Sequence, residues 1–339
     1  MLVARVDAPG KPLHLVDVPI PPIKAGEVLI RVKACGVCHS DLHIVDGDWS
    51  HEGFPRVPGH EVAGVVETVM PPASGLQVGD RVGLPWVHAT CGHCPACERN
   101  DGPLCPDKEV TGLTVFGGFG EFVIAPASSV TKIPEAIPFE VAAPLFCAGL
   151  TSFSALKLAQ VAPGERVAIQ GIGGLGHLAI QFAHHLGAEV VALTTSPGKA
   201  RAAAALGADH CLVGDPKSQV GQLMAMDGAS VILSTSPDPA SVSPLIGALS
   251  DNGRMVIVGA GAGEFCIRPK ELIKRRLRIM GSPVGTHEDM RNLLDFVIKH
   301  RIRVEVSCYP LTAANRALEE LRRGTTQFRI VLIPGEIST

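Results

Sequence analysis

The sequence predicts an α/β chain in which a β-rich, irregular part accompanies a doubly wound parallel sheet of six strands. Three observations carry that expectation. From residue 1 to about 147, short β-branched runs are separated by Gly/Pro turns; from about 148 to 282, six strand-like runs alternate with helical segments; and a glycine string stands between the first of those six runs and its helix. In the first stretch the runs are Val28 to Val32, Val62 to Val69 and Glu121 to Ile124. In the second they are Arg166 to Gln170, Glu189 to Thr194, His210 to Val213, Ser230 to Thr235, Arg254 to Val258 and Arg278 to Gly281. Strands that recur with helical connections specify parallel pairing with helices on both faces. Helical patterns over His287 to His300 and Thr312 to Arg323 follow, then a last strand, Phe328 to Ile333.

At 339 residues the chain has room for two domains, each with its own core. Its 30 Lys+Arg against 33 Asp+Glu give a net charge of −3 and a pI of about 6.5. That balance supplies no field for gripping a nucleic-acid backbone or an acidic membrane surface, and the basic run Lys274, Arg275, Arg276, Arg278 reads as a solvated helix end. No apolar run approaches the ~20 residues that span a bilayer, and the start MLVARVDAPGK lacks the apolar core of a secretion signal. A soluble, cytoplasmic protein is expected. In a reducing compartment, clustered cysteines among the ten present read as metal ligands rather than as a disulfide framework.

Gly171-Ile-Gly-Gly-Leu-Gly176 follows the strand RVAIQ directly and opens an apolar helical run. Gly171 permits the tight turn, Gly173 lets the backbone approach a pyrophosphate, and Gly176 lets helix pack on sheet, with Gly174 and Leu175 completing the loop at an anion-attracting helix N-terminus. Inside a six-strand alternation this string predicts a dinucleotide site of the Rossmann kind, to which Val258 at the end of the fifth run is also assigned. About 20 residues on, where an acidic residue would bind the adenosine ribose of NAD, the chain instead has Thr194, Thr195, Ser196, Lys199 and Arg201. Hydroxyls and cations accept the 2′-phosphate that a carboxylate repels, so NADP(H) is the expected cofactor and NAD(H) the alternative.

Two metal sites are expected. Cys91, Cys94, Cys97 and Cys105 place four thiols within fifteen residues among chain-bending Gly92, Pro95 and Pro106. Four thiolates close a tetrahedral shell, the mark of a structural zinc. Separately, the segments Gly36 to His43, Pro58 to Glu61 and Leu145 to Gly149 supply the thiols of Cys38 and Cys147 and the imidazole of His60, three ligands that leave a fourth position open.

GVCHSDLH, PGHE, the four-cysteine lobe, CAGLT, GIGGLG and the closing FRIVL occur in one order. In that order the sequence resembles the zinc-dependent alcohol dehydrogenases of the medium-chain dehydrogenase/reductase family, bacterial type, over essentially the whole chain. Two thiolates and an imidazole are a known alcohol dehydrogenase ligand set. The resemblance implies a GroES-like catalytic domain from 1–147 and 283–339, with the structural zinc lobe at 91–105, and a Rossmann nucleotide-binding domain at 148–282. It makes Cys38, His60 and Cys147 the catalytic zinc ligands, Glu61 a carboxylate able to approach the metal, and Asp41 the group that orients His60. Ser40 and His43 become a proton relay, His39 and Arg329 pyrophosphate contacts, Thr151 a nicotinamide contact, and Trp49 with Trp86 the walls of a narrow apolar substrate slot.

The implied activity is reversible hydride transfer between small primary or simple secondary alcohols, or the aldehydes, and NADP(H), with zinc as a Lewis acid. A homo-oligomer, tetramer or dimer, is expected, the run Arg254 to Val258 being taken as an apolar sheet edge open to pairing across subunits. Two other readings compete. A zinc-free reductase of the same superfamily would lack both cysteine sets, and a non-catalytic NADPH-sensing protein would have no use for an open metal position and a relay.

Overall fold

The computed structural model describes residues 1–49, 53–73, 75–259 and 261–335. The chain divides into two compact units, one of Met1–Ala148, Thr286–Ile298 and Val304–Thr339, the other of Gly149–Gly285 and Lys299–Arg303.

In the first unit a seven-stranded sheet is built on Glu27–Val37. Its path runs Val306–Pro310, Arg329–Ile333, Glu27–Val37, Glu61–Val69, Arg81–Leu84, Thr131–Lys132, and Phe122–Pro126 also pairs with Glu27–Val37. Ile30 and Val32 face the core while Arg31 and Lys33 are exposed, the alternation of a half-buried strand; from Ala34 to Val37 every residue is buried. The helix Ala314–Arg322 packs Ala314, Ala317, Leu318 and Leu321 into the same core, the i, i+3, i+4, i+7 stripe that one helix face presents. The expected helix from Thr312 begins later because Leu311–Ala313 form a 3-10 turn.

Antiparallel pairing sets Gly36 opposite Glu61 on one side and Val331 on the other. The C-terminal end of the central strand therefore meets the N-terminal ends of both neighbours. Residues far apart in the chain, just beyond Val37, just before Val62 and just before Ile330, are brought to one place by this register alone.

In the second unit six strands run parallel in the order His210–Val213, Glu189–Thr194, Arg166–Gln170, Ala229–Ser234, Leu249–Ile257, Arg278–Gly281. Numbered along the chain this is 3-2-1-4-5-6, the doubly wound order, whose topological switch point lies where strands one and four adjoin. Val190 to Thr194 are all buried, as expected of a parallel strand covered on both faces. One expectation is corrected. The run Arg254 to Val258 belongs to the fifth strand, with Arg278–Gly281 paired outside it, so it is not a sheet edge. Apolarity marks a strand as buried; which neighbour covers it depends on the route of the crossovers. Among the described residues no single helix is long and apolar enough to cross a membrane.

Candidate active site and metal centres

Cys38 leaves the central strand and opens the helix His39–Asp46. Asp41, in the first turn of that helix and fully buried, accepts hydrogen bonds from the N–H of Cys38 (2.9 Å), the N–H of Gly59 (3.0 Å) and Nδ1 of His60 (3.1 Å). A carboxylate against Nδ1 keeps the hydrogen there and leaves Nε2 as a lone-pair donor. Nε2 of His60 is buried without a hydrogen-bond partner. Cys147 follows the 3-10 turn Ala143–Phe146, and its Sγ lies 3.9 Å from that of Cys38. The ligand atoms of Cys38, His60, Glu61 and Cys147 all fall within 4.8 Å of one another.

This donor set fits zinc. Sulfurs bound tetrahedrally at about 2.3 Å stand about 3.8 Å apart, whereas a disulfide needs about 2.05 Å. The observed separation matches the first. The contact with the Cys147 thiol holds Cys38 well below its usual range against the effect of burial, while the same contact and burial push Cys147 up. Burial pushes the Glu61 carboxyl up to about 7, although Arg329 donates a hydrogen bond to its Oε1. Oε2 of Glu61 has no partner and lies so near Gly36 that a Cβ there would stand 1.8 Å away. Only glycine at 36 admits a carboxylate beside these side chains. Arg329, expected at a pyrophosphate, is 4% exposed and is held in this constellation by Glu61.

Ser40 and His43 are three residues apart and share a helix face; the Ser40 hydroxyl is 3.9 Å from the Cys38 sulfur. Nδ1 of His43 lies 2.7 Å from Oδ2 of Asp48. Trp49 stacks on the His43 ring at 4.8 Å and meets Trp86 edge-on at 5.6 Å, and Trp86 meets the His60 ring edge-on at 4.9 Å. The two indoles thus form one wall beside the candidate metal ligand. His39 is exposed at the start of the helix.

In the 91–105 lobe, Sγ separations are 3.9 Å for Cys91 and Cys97, 3.5 Å for Cys94 and Cys97, and 3.7 Å for Cys105 and Cys91. These are again near the tetrahedral value and far from a disulfide. All ten cysteines are free.

At the switch point of the parallel sheet, Gly171 takes φ +88°, and a Cβ on Gly176 would stand 1.9 Å from the Gly171 carbonyl oxygen, so the turn closes only with glycine there. A Cβ on Gly173 would meet nothing within 4 Å, which leaves open room against that backbone for a ligand. Ser152, next to the buried Thr151, ties the helix Ala148–Leu158 to this loop by donating to the Leu175 carbonyl (3.2 Å). Beside it a pocket of about 250 Å³ is lined by Gly171, Thr194, Thr195, Ser196 and Lys199, with Asp238 also at its wall. The Thr194 hydroxyl accepts the Ser196 N–H (3.1 Å), and Val258 donates its N–H to the Ser234 carbonyl (3.0 Å). Arg201 is exposed on the helix Pro197–Ala205 and does not line the pocket.

Two residues of these sites carried no signal in the motifs. Gln219, 3% exposed, donates from Nε2 to the carbonyls of Thr194 (3.1 Å) and Gly214 (2.9 Å), holding the end of the strand that bears the hydroxyl cluster. Asp48 is the partner of His43, and the Gly47-Asp48 pair just after the helix is a signal that could have located it.

Residues 24–135 match the alcohol dehydrogenase GroES-like domain and residues 174–299 the zinc-binding dehydrogenase family. An alcohol dehydrogenase of Geobacillus stearothermophilus is 40% identical over 336 residues, covering 98% of this chain and 99% of that protein. The crystal structure of the alcohol dehydrogenase of the hyperthermophilic archaeon Aeropyrum pernix superposes with a TM-score of 0.92 at 36% identity, covering 98% of this chain and all (100%) of that one. A Helicobacter pylori enzyme crystallised with NADP(H) superposes at 0.90 with 26% identity, covering 98% and 97%. The chain belongs to the zinc-dependent medium-chain alcohol dehydrogenase family. It is an oxidoreductase of alcohols and aldehydes that uses zinc and a nicotinamide cofactor, with a GroES-like domain and a Rossmann-like six-stranded sheet.

Proposed function

We propose that this chain interconverts small primary or simple secondary alcohols and their aldehydes or ketones with NADP(H) as the preferred cofactor, through a zinc held by Cys38, His60 and Cys147. The observation that carries the metal assignment is the buried His60 Nε2, unpartnered and aimed by Asp41 beside two thiols 3.9 Å apart. Zinc bound there supplies Lewis acidity toward the substrate oxygen. The remaining work falls to side chains of the chain itself. Ser40 takes up the alcohol proton as its own hydroxyl hydrogen is handed on toward His43, which is partly exposed and returns it to solvent. Trp49 and Trp86 hold a short aliphatic or flat aromatic substrate by contact with their faces. Glu61, beside these residues and paired with Arg329, would be a carboxylate able to approach the metal.

In the same reading, residues 1–147 and 283–339 form the catalytic domain, residues 148–282 bind the dinucleotide, and Cys91, Cys94, Cys97 and Cys105 hold a second, structural zinc. The cofactor preference rests on Thr195, Ser196 and Lys199 at the pocket, where no carboxylate occupies the ribose position at the end of the second strand. Asp238, which also lines the pocket, accepts the Ala240 N–H at Oδ1 (3.0 Å).

The test is kcat/KM for NADPH against NADH with a panel of alcohols and aldehydes. A ratio of at least roughly tenfold in favour of NADPH, narrowed in Lys199→Ala by the loss of one charge-assisted contact, is expected. Equal values in the wild type would overturn the preference and leave the alcohol dehydrogenase assignment standing.

A further inference from the structure

The turn that ends the helix His39–Asp46 returns to His43 in three ways. Gly47 adopts φ +79°, a left-handed conformation that glycine enters freely, and donates its N–H to the His43 carbonyl. The N–H of Asp48 donates to that carbonyl as well (3.0 Å), and the Asp48 carboxylate lies 2.7 Å from Nδ1 of the His43 ring. Trp49 then lays its indole on the same ring, 4.8 Å between centroids and 30° from parallel. One imidazole is thus gripped at its edge and on its face by consecutive residues.

We propose that Asp48 is the positioning residue of the proton relay: its carboxylate keeps hydrogen on Nδ1 of His43, so that Nε2 stays a proton acceptor in a ring held flat on Trp49. The proposal rests on the reading of His43 as a relay group. It follows from tautomer logic, because a neutral imidazole donates from one nitrogen and accepts at the other, and a carboxylate can only accept. A structural purpose for the same contact is poorly served. The Asp48 side chain is 53% exposed and that of His43 27%, and exposed ion pairs add little to stability. An exposed contact that is stiffened by two backbone hydrogen bonds and a stacked indole therefore has orientation as its main effect.

The test compares Asp48→Ala, Asp48→Asn, His43→Ala and the double variant Asp48→Ala/His43→Ala as zinc-loaded enzymes. Asp48→Ala is expected to lower kcat roughly tenfold or more, with KM for alcohol and cofactor, zinc content and melting temperature unchanged. Asp48→Asn keeps an acceptor oxygen and should regain most of the loss, and adding Asp48→Ala to His43→Ala should cost nothing further. In ¹⁵N-histidine-labelled protein, the two-bond ¹H–¹⁵N signals that disappear in His43→Ala should show the Nδ1–H tautomer in the wild type and a mixture in Asp48→Ala. If His43→Ala lowers kcat while Asp48→Ala changes neither kcat nor tautomer, the positioning role is overturned and the relay stands. If His43→Ala leaves kcat intact, the relay reading fails and the positioning role with it.

Discussion

Asp41 shows how much of the site depends on one atom group. Its carboxylate receives three N–H donors with no water available, since the side chain is fully buried. An amide at this position would turn an NH₂ toward at least one of those donors, leaving buried polar groups unpaired. Asp41→Asn should therefore weaken zinc binding about 10- to 100-fold and lower stability by about 1–3 kcal/mol. Competition with a chromogenic chelator and urea unfolding measure the two effects, and unchanged zinc affinity would deny that Asp41 orients His60. At this scale the clustering of the candidate ligands was legible because sulfur and imidazole at motif spacing have few other uses. The partners were less so. The contact of Asp48 requires a left-handed Gly47, and that of Gln219 spans 25 positions from Thr194, a separation at which no local pattern operates.

Among elements, the strand ends decide both chemistry and pH response. Glu165, just ahead of the strand Arg166–Gln170, pairs at 2.6 Å with Arg254, which lies within the strand Leu249–Ile257. Burial raises the Glu165 carboxyl, but the Arg254 hydrogen bond and the Ala162 N–H outweigh it and hold it below its ordinary value of 4.5. A carboxylate whose folded value is depressed contributes stability that is complete above its unfolded value and is lost as pH falls through the folded one. Glu165→Gln should accordingly cost about 1 kcal/mol near pH 7, a modest figure because the pair is partly solvated, and the difference from wild type should shrink below about pH 4. Urea midpoints measured from pH 7 to pH 3 check this; a constant difference would assign the loss to packing instead. The strand runs and their helical spacing could be read in one dimension, whereas the place of Leu249–Ile257 inside the sheet could not, since nothing in an apolar run tells which strand lies outside it.

For the molecule as a whole, two thiol-rich clusters with sulfurs 3.5–3.9 Å apart predict two zinc ions per chain. They should differ in consequence. The 91–105 lobe uses four thiols and little apolar core; Ala96 and Cys105 are buried there, while Leu104 is 55% exposed. A segment so poor in buried apolar surface depends on its cross-link. Cys97→Ser should reduce zinc from two to one per chain and cost about 2–5 kcal/mol, the scale of removing a covalent staple from a small lobe. Metal analysis and thermal unfolding test it, and full zinc content in that variant would contradict the assignment.

By itself the sequence determined the donor chemistry, the glycine turn and the alternation of strand and helix, because these are properties of residue type and short spacing. It also determined that hydroxyls and cations, with no acidic residue, follow the second strand of the parallel sheet from Thr194 to Arg201. Tertiary structure alone decided that Glu61 and Arg329 pair beside Cys38, His60 and Cys147, that Gly36 makes room for them, and that Asp48 and Trp49 close on His43. The physical reason is register: antiparallel pairing brings the end of one strand to the beginnings of two others, and a one-residue slip in either pairing would send Glu61 or Arg329 to the opposite face of the sheet.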